Sequence, residues 1–533
     1  MAGSVRPAAR AGVRRPSRGH LEVRPAARAG VRQAACLGAP VASLCHAPPP
    51  GPRLPDYTRS VIARRRAIVL VHNPVAPYSR ALRIARSLEA EGWEVLIAGT
   101  ARTDLPGEEL DGTIRIVRVR PAGPLAGFVE PARGRPASLV ARGDAIIGAA
   151  GRLLARIPGL RLLRAARTPT LRRVLGILRW PLPARAWTEG LRRALPPADL
   201  YHACGIAALV AATELARDAR GRGSRDEAAA GGREPDRHAG RVVYDVIDLF
   251  LEGNAYATMP RPLKRLYERR ERALVRCTDG IVTVNEALAA ELRRRWALAD
   301  VPAVVRNCPP YHPPRVPPPD DLRRATGLPS RTRLVLFLGI LGADRGLLES
   351  GEAVLRLPDA AFVAMGFGPW YERMRALDTD PRFAGRHVTL PPVHPDEVPR
   401  WAAGADAALI AVPGDSLNQR LSTPNKFWET LAAGVPPVVG RDLAVMREIV
   451  ETHDLGAVAD PADPADLARA LREVLDAPPE ARASRRTRAF ALHRDVYRWD
   501  VQVRPLLALA ARLVPVPDGD GVDYGVRPAV ESP

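Results

Sequence analysis

The chain has little of several features that identify common protein classes. Its five cysteines are widely spaced and form no C-x-x-C pair, which argues against a disulfide framework or a zinc site and favours a reducing cytoplasm. No run of about 18 apolar residues occurs, so no transmembrane helix is expected. The basic N terminus lacks the apolar segment of a secretory signal. Lysine is nearly absent, with two lysines beside 77 arginines, which is the bias of a GC-rich gene.

Acidic residues are scarce at the N terminus. Residues 1–66 contain thirteen arginines and two acidic residues, which accounts for about half of the formal charge of +21. The sequence VRPAARAGVR occurs there twice, at 5–14 and 23–32. This composition predicts a disordered basic tail that attracts nucleic acid or anionic lipid, with coding bias as the alternative. No nucleic-acid-binding motif is visible, so no specific nucleic-acid partner is expected.

Order begins near residue 67 with alternating strands and helices. The buried run AIVLVHNP (67–74), the amphipathic stretch 79–92 and the run WEVLIAGT (93–100) predict a β-α-β unit. Similar alternation continues through 67–305, which we take as an N-terminal Rossmann-like domain. Residues 217–241, which are rich in Gly, Arg and Asp, are predicted to be a flexible insertion.

A second α/β series follows a proline-rich segment. Residues 306–330 are predicted to be the interdomain linker, and 331–494 a second Rossmann-like domain. Residues 495–514 are predicted to form a helix that is bent or broken near Pro505, and 515–533 a disordered tail. The predicted fold is therefore α/β, with two domains facing each other across a cleft lined by the carboxyl ends of their strands.

The stretch 146–180 mixes leucine and isoleucine with arginine and contains no acidic residue. A basic amphipathic surface of this kind can lie on an anionic membrane. The alternative is a pair of helices packed on the core with arginines in solvent. The expected location is therefore cytoplasmic, with peripheral contact at the inner face of the plasma membrane as one possibility.

The most specific motif is STPNKFWETLAAGVPPVV (422–439). It resembles the donor-site helix of glycosyltransferase family 4, the retaining enzymes of the GT-B fold, with the pattern P-x-K-x-x-E-x-x-A-x-G-x-P. The matching residues are Pro424, Lys426, Glu429, Ala432, Gly434 and Pro436. The resemblance implies that Glu429 binds the ribose hydroxyls of a nucleotide, a role that an acceptor-only carboxylate can perform. Amides at the helix start and the Lys426 charge favour a diphosphate.

Other donor-site motifs follow the same resemblance. LFLGILGADRGL (336–347) is similar to the family's first donor-domain loop, in which Arg345 would clamp the diphosphate, although Ile340 stands where the family has an arginine. Leu421 replaces a family glutamate that touches the donor sugar, and Asp415, Asn418 and Gln419 are the nearby polar residues. The expected donor-binding residues are Gly339, Gly342, Arg345, Gly366, Gly368, Val393, Thr423, Pro424, Asn425, Lys426 and Glu429.

The acceptor side is less well marked. DLYHACG (199–205) and VVYDVIDLF (242–250) resemble family strands that end at the cleft, where His202 would lie near the reacting sugar. A lone histidine is also a common structural residue. The expected acceptor-side residues are Ser79, Arg80, His202, Asp245 and Asp248, and the expected catalytic residues are His202, Arg345 and Lys426. No metal ion or cofactor is expected.

The implied reaction transfers a sugar from a UDP- or GDP-linked donor to an acceptor hydroxyl, with retention of configuration. A lipid-linked or polysaccharide acceptor would suit the basic helices. Two alternatives stay open: a GT-B epimerase or phosphorylase, and a non-catalytic partner that keeps the fold. The absence of G-x-G-x-x-G after the first strand argues against a NAD-linked dehydrogenase.

Overall fold

The computed structural model describes residues 65–76, 78–123, 181–229, 239–253 and 259–516, which belong to one compact unit. They form two mainly parallel sheets with helices between the strands, so the α/β fold class expected from the sequence is confirmed. The tail up to residue 64, the basic stretch 146–180 and the end beyond residue 516 lie outside the described residues, and the predictions for them stay predictions.

The N-terminal lobe, hereafter the N-lobe, is built on an eight-stranded sheet. Its strands are β1 (Arg66–Val71), β2 (Glu94–Thr100), β3 (Glu108–Asp111), β4 (Ile114–Val119), β5 (Leu200–Cys204), β6 (Arg241–Val246), β7 (Gly280–Thr283) and β8 (Ala303–Val304). The order is β3-β4-β2-β1-β5-β6-β7-β8, and only β3 runs antiparallel to its neighbour. In β1, Ile68 and Leu70 pack on one face while Val69 and Val71 pack on the other, as in a central parallel strand.

Five described helices connect these strands. They are α1 (Ser79–Ala90), α2 (Pro181–Ala194), α3 (Ile206–Ala229), α4 (Arg261–Val275) and α5 (Glu286–Trp296). Helix α5 shows how its bounds are fixed: the Asn285 side chain accepts a hydrogen bond from the Leu288 amide at its start, and Ala297 adopts a left-handed conformation at its end.

The C-terminal lobe, hereafter the C-lobe, is built on a six-stranded parallel sheet. Its elements are α6 (Asp321–Thr326), β9 (Arg333–Ile340), α7 (Leu347–Leu355), β10 (Ala360–Phe367), α8 (Tyr371–Leu377), β11 (His387–Leu390), α9 (Val398–Ala402), β12 (Ala407–Ile410), α10 (Leu417–Leu421), α11 (Asn425–Ala432), β13 (Pro437–Gly440), α12 (Ala444–Thr452), β14 (Ala457–Ala459), α13 (Pro464–Leu475) and α14 (Pro479–Asp495). The strand order is β11-β10-β9-β12-β13-β14.

After α14 the chain packs back on the N-lobe through α15 (Trp499–Gln502) and α16 (Arg504–Leu513). Trp499 and Leu506 are buried in the same cluster as the β1 residues, and Trp499 Nε1 donates to Ser87 Oγ at 2.8 Å. The break predicted near Pro505 lies at Val503, two residues before the proline. This division suits a residue that lacks an amide hydrogen.

Two predicted boundaries are wrong. Helix α3 continues to Ala229, so the first half of the predicted flexible insertion is helical. The predicted linker contains α6, which belongs to the C-lobe because Leu322 is fully buried in its core and Arg323 Nη2 donates to Asp406 Oδ2 at 2.6 Å. The glycines of the insertion and the prolines before α6 masked these helices in the sequence.

Both sheets reverse their winding beside a central strand, between β1 and β5 and between β9 and β12. Ligands of open parallel sheets bind outside the carboxyl ends of the strands at such a point. The loop after β9 and the segment that contains α10 and α11 therefore adjoin the position where a ligand of the C-lobe is expected.

Candidate active site

Helix α11 buries the two charged residues of the donor motif. Lys426 and Glu429 are 9% and 8% exposed. Lys426 Nζ lies 3.6 Å from the centroid of the Phe337 ring and has no hydrogen-bond partner among the described residues. Burial, together with the charge of Arg345, lowers the pKa of Lys426 to about 7. The Phe337 ring stabilises the ammonium only in part, and a buried cation without a hydrogen-bond acceptor is costly, so this position suits an anion.

Glu429 stands one turn further along the same helix. Burial raises its pKa to about 7, against the opposing charges of Arg83 and Lys426. Pro424 precedes the helix and no described side chain caps its start, so the positive end of the helix dipole is available beside Lys426. One helix thus carries a buried lysine and a buried carboxylate one turn apart.

The predicted donor glycines divide into two groups. A Cβ at Gly342 would meet only Asp344 Oδ1, at 3.8 Å, and one at Gly339 only Lys426 Cε, at 3.8 Å. A Cβ at Gly366 would lie 1.8 Å from Gly339 O, and one at Gly368 2.5 Å from Leu341 O. The packing of the protein backbone therefore requires glycine at 366 and 368, and the role of these two residues in donor binding stays a prediction.

Four further predicted donor residues lie on separate segments of the C-lobe. Arg345 is partly exposed on the loop after β9, 3.8 Å from Asp344 Oδ1, and its charge acts on Lys426. Val393 is partly buried against the cluster below β10. Thr423 Oγ1 accepts from Asn285 Nδ2 of the N-lobe at 3.4 Å, and Asn425 Oδ1 accepts from Asn307 Nδ2 at 2.9 Å.

Arg83 on α1 is a candidate that the sequence analysis missed. Its Nη1 donates to Asn307 O and Oδ1, each at 3.1 Å, while its Nε and Nη2 are buried with no described partner. Its charge is the largest that opposes the raised pKa of Glu429. The N-lobe thus directs an unsatisfied guanidinium toward the donor helix of the C-lobe. At 100° per residue, Arg83 lies on the side of α1 opposite Ala81 and Ala85, so the sequence pattern predicts an exposed residue and carries no signal for this contact.

Asn307 joins the two lobes beside this guanidinium. Its Nδ2 donates to Ser79 Oγ at 3.2 Å and to Asn425 Oδ1 at 2.9 Å. The predicted acceptor-side residue Ser79 is therefore buried and hydrogen-bonded to the lobe junction. One asparagine thus connects the start of α1, Arg83 and the start of α11.

Three other predicted acceptor-side residues form a buried network. Arg80 Nε and Nη2 donate to the two carboxylate oxygens of Asp245, each at 2.7 Å, and His202 Nε2 lies 3.1 Å from Asp245 Oδ2. Burial alone would raise the pKa of Asp245, but the Arg80 charge and the His202 hydrogen bond lower it to about 2. His202 is fully buried, so the expectation that its ring faces the cleft is wrong.

The same network brings His202, Cys204 and Asp245 together as possible metal ligands. Arg80 already binds both oxygens of Asp245 and its Nη1 donates to Val305 O at 2.7 Å. A cation would have to bind beside this guanidinium charge, so we interpret the cluster as structural.

The segment between β12 and α11 docks on the N-lobe. Leu417 and Leu421 pack against the N-lobe core, and Asn285 Nδ2 donates to Leu421 O at 2.7 Å. Asn418 accepts from the Leu249 amide at 2.6 Å and donates to Asp248 Oδ1 at 3.0 Å. Of the predicted acceptor-side residues, Asp248 is the exposed one.

The same segment contains Leu421, where the family has a glutamate, and the polar residues near that position make structural contacts. Asn418 is bound to the N-lobe, and the Gln419 side chain pairs with Ser416 in a capping box at the start of α10. Asp415 is exposed. Position 421 and its polar neighbours Asn418 and Gln419 therefore hold the lobes and the local turn together.

The C-lobe matches a known family. Residues 332–477 fit the family model described as "Glycosyl transferases group 1". A curated relative, the 2-deoxystreptamine glucosyltransferase of Streptomyces kanamyceticus, is 28% identical over 233 residues, which are 42% of this chain and 58% of that protein. The chain spans less than two thirds of the length of the curated relatives it matches.

Solved structures resemble both lobes. Sucrose-phosphate synthase from Thermosynechococcus elongatus has a TM-score of 0.57 and 14% identity, covering 84% of this chain and 99% of its own. HepE from Anabaena, in complex with UDP and glucose, has a TM-score of 0.53 and 13% identity, covering 84% of this chain and 100% of its own. These likenesses show a common fold, the two-domain GT-B architecture that the sequence resemblance implied.

Proposed function

We propose that the chain is a retaining, family 4-type glycosyltransferase that moves a hexosyl group from a UDP- or GDP-linked donor to an acceptor hydroxyl. The observation that carries the proposal is the buried, unpartnered Lys426 ammonium beside Glu429 on α11, at the switch point of the C-lobe sheet. The matched family model in the same lobe and the glucosyltransferase relative support it. So does the UDP and glucose complex of a protein with the same fold.

The chemistry needs a stabilised leaving group. When the bond between the anomeric carbon and the phosphate oxygen breaks, the departing nucleoside diphosphate gains negative charge. Lys426, Arg345 and the start of α11 stand on the C-lobe side of that charge, and Arg83 stands on the N-lobe side. Preorganised charges in a buried site stabilise such a transition state strongly. Glu429 would accept the ribose hydroxyls and so fix the nucleotide.

Asp248 is the acceptor-side residue that we assign to the acceptor. It is exposed at the end of β6 and is held by Asn418 of the C-lobe. His202, Arg80 and Asp245 form a buried network in the N-lobe instead. The acceptor is proposed to be a lipid-linked saccharide or a polysaccharide, met at the inner face of the plasma membrane.

Release of nucleoside diphosphate from a panel of UDP- and GDP-sugars tests the proposal. The two lysines provide a matched pair, since both are largely buried but Lys264 lies on α4 of the N-lobe and forms an ion pair with Glu252. Lys426→Met should abolish release from the accepted donor, and Lys264→Met should leave it unchanged. Equal rates for the two variants would refute the assignment of Lys426.

A non-catalytic GT-B partner is the second candidate, because Leu421 packs on the N-lobe where the family has a glutamate that contacts the donor. That function predicts nucleotide binding without turnover for every donor and acceptor supplied. Conversion of the donor sugar to its epimer, without transfer, would instead identify an epimerase.

A further inference from the structure

Helix α4 presents a row of arginines to solvent on the N-lobe. The exposed arginines of this helix and its end are Arg261, Arg265, Arg269, Arg270, Arg272 and Arg276. At 100° per residue they fall on one half of the helix. Glu271 is buried and Glu268 lies at the margin of that half, so the exposed face carries charge of one sign.

These arginines differ from most surface arginines of the chain. In the rest of the described chain, most surface arginines pair with acids, as Arg469 does with Asp466 and Arg488 with Asp454. Arg265, Arg269 and Arg276 make no hydrogen bond or ion pair with any residue that the structure describes. Compositional bias supplies arginines to the whole chain, but it does not explain why this face lacks acidic partners.

Apolar side chains lie next to the arginine row. Leu266 is 42% exposed, and Pro262 and Ala273 are exposed along the same line of the helix. Arginines flanking exposed apolar residues are typical of a helix that lies in a lipid interface. Single-stranded nucleic acid would need aromatic rings for its bases, and the one aromatic residue of α4, Tyr267, is buried.

We propose that the exposed face of α4, defined by the six arginines and Leu266, binds the surface of an anionic lipid bilayer. No helix in the described parts of the chain is long and apolar enough to cross a membrane. The start of α4 adjoins the cleft, since Lys264 Nζ pairs with Glu252 Oε2 at 2.7 Å and nearby Leu249 bonds to Asn418 of the C-lobe. A bilayer on this face would bring lipid headgroups close to Asp248.

Vesicle co-sedimentation of the full chain tests the proposal. Phosphatidylcholine vesicles with and without phosphatidylglycerol are the probes, and the variant is R265Q/R269Q/R276Q, which keeps good helix formers. Wild type should bind only the anionic vesicles, and more weakly at high salt. The triple variant should bind about 100-fold more weakly, because each basic residue near an anionic surface contributes about a factor of 5.

A control variant separates this face from net charge. The control R331Q/R482Q/R504Q removes three exposed arginines that lie at scattered sites and whose side chains also have no described partner. It should bind anionic vesicles as wild type does. Equal vesicle binding by the α4 variant and wild type would overturn the proposal, as would an equal loss in the control. Binding of single-stranded RNA that depends on these arginines, without vesicle binding, would also overturn it. The assay needs no sugar transfer, so its outcome is independent of the proposed reaction.

Discussion

Arg80 and Arg83 lie one turn apart on α1 and provide a matched pair of substitutions. They are 1% and 2% exposed, yet their surroundings are opposite. Arg80 binds both oxygens of Asp245 and the carbonyl of Val305. Arg83 uses only Nη1, on Asn307, and leaves Nε and Nη2 without a described partner. We expect Arg83→Gln to weaken nucleotide binding and Arg80→Gln to weaken folding.

The magnitudes follow from these contacts. If the diphosphate takes two charge-assisted hydrogen bonds from Arg83, each contributing about 1.5 kcal/mol or more, the variant should bind UDP or GDP about 100-fold more weakly. Its free energy of unfolding should change little, because the loss of the two Nη1 hydrogen bonds to Asn307 is offset by removal of a buried guanidinium whose Nε and Nη2 have no described partner. Arg80→Gln instead leaves Asp245 buried without its counter-ion, which costs about 3–5 kcal/mol.

Two assays separate the outcomes: isothermal titration with UDP and GDP, and urea unfolding of the nucleotide-free protein. An unchanged dissociation constant for Arg83→Gln would refute the assignment of Arg83 to the donor site. A large loss of stability in the same variant would show that its free nitrogens have a structural role. If Arg80→Gln unfolded at the wild-type urea concentration, the description of the Asp245 network would be wrong.

Three further predictions concern charge and backbone. Lys426→Met should raise the melting temperature at pH 7, because it removes a buried positive charge. The pKa of the lysine falls from 10.5 in the unfolded chain to about 7 on folding. The stability of wild type relative to the variant should therefore rise as the pH increases from 7 to 10.5. Asp245→Asn should lower the free energy of unfolding by about 3 kcal/mol at neutral pH. In acid unfolding, this difference from wild type should persist above pH 4 and shrink as the pH falls toward 2. The reason is that the pKa of Asp245 is about 2 in the folded protein, against an ordinary value of 3.8. Gly346→Ala should lower the free energy of unfolding in urea by more than about 2 kcal/mol, since φ is +67° and a Cβ would lie 1.9 Å from Ala411 O. Gly342→Ala should fold normally, and only its affinity for the nucleotide in a titration should fall.

The sequence was sufficient for the features that depend on local pattern. Buried runs such as 67–71 and 334–338 predicted the central strands, because a parallel strand covered on both faces is apolar throughout. The motif around Lys426 and Glu429 predicted a helix, which the structure shows as α11. Such patterns can be recognised in the sequence without knowing which residues pack against them.

Long-range contacts could not be predicted in the same way. The ion pair of Arg80 with Asp245 joins residues 165 positions apart, and no sequence pattern near either residue predicts it. Leu421 could be recognised as a departure from the family, but its packing on the N-lobe depends on the closed arrangement of the lobes. Gly366 matched a ligand-binding motif, yet its missing side chain makes room for Gly339 O.

The central claim is that the carboxylate of Glu429 holds a nucleotide between the lobes. Isothermal titration with UDP and GDP tests it directly, comparing Glu429→Gln with Glu271→Gln, since burial raises the pKa of both glutamates to about 7 but Glu271 lies on α4. We expect wild type and Glu271→Gln to bind one of the two nucleotides equally well, and Glu429→Gln to bind it at least about 100-fold more weakly. Failure of wild type to bind either nucleotide, or equal affinity in all three proteins, would contradict the claim.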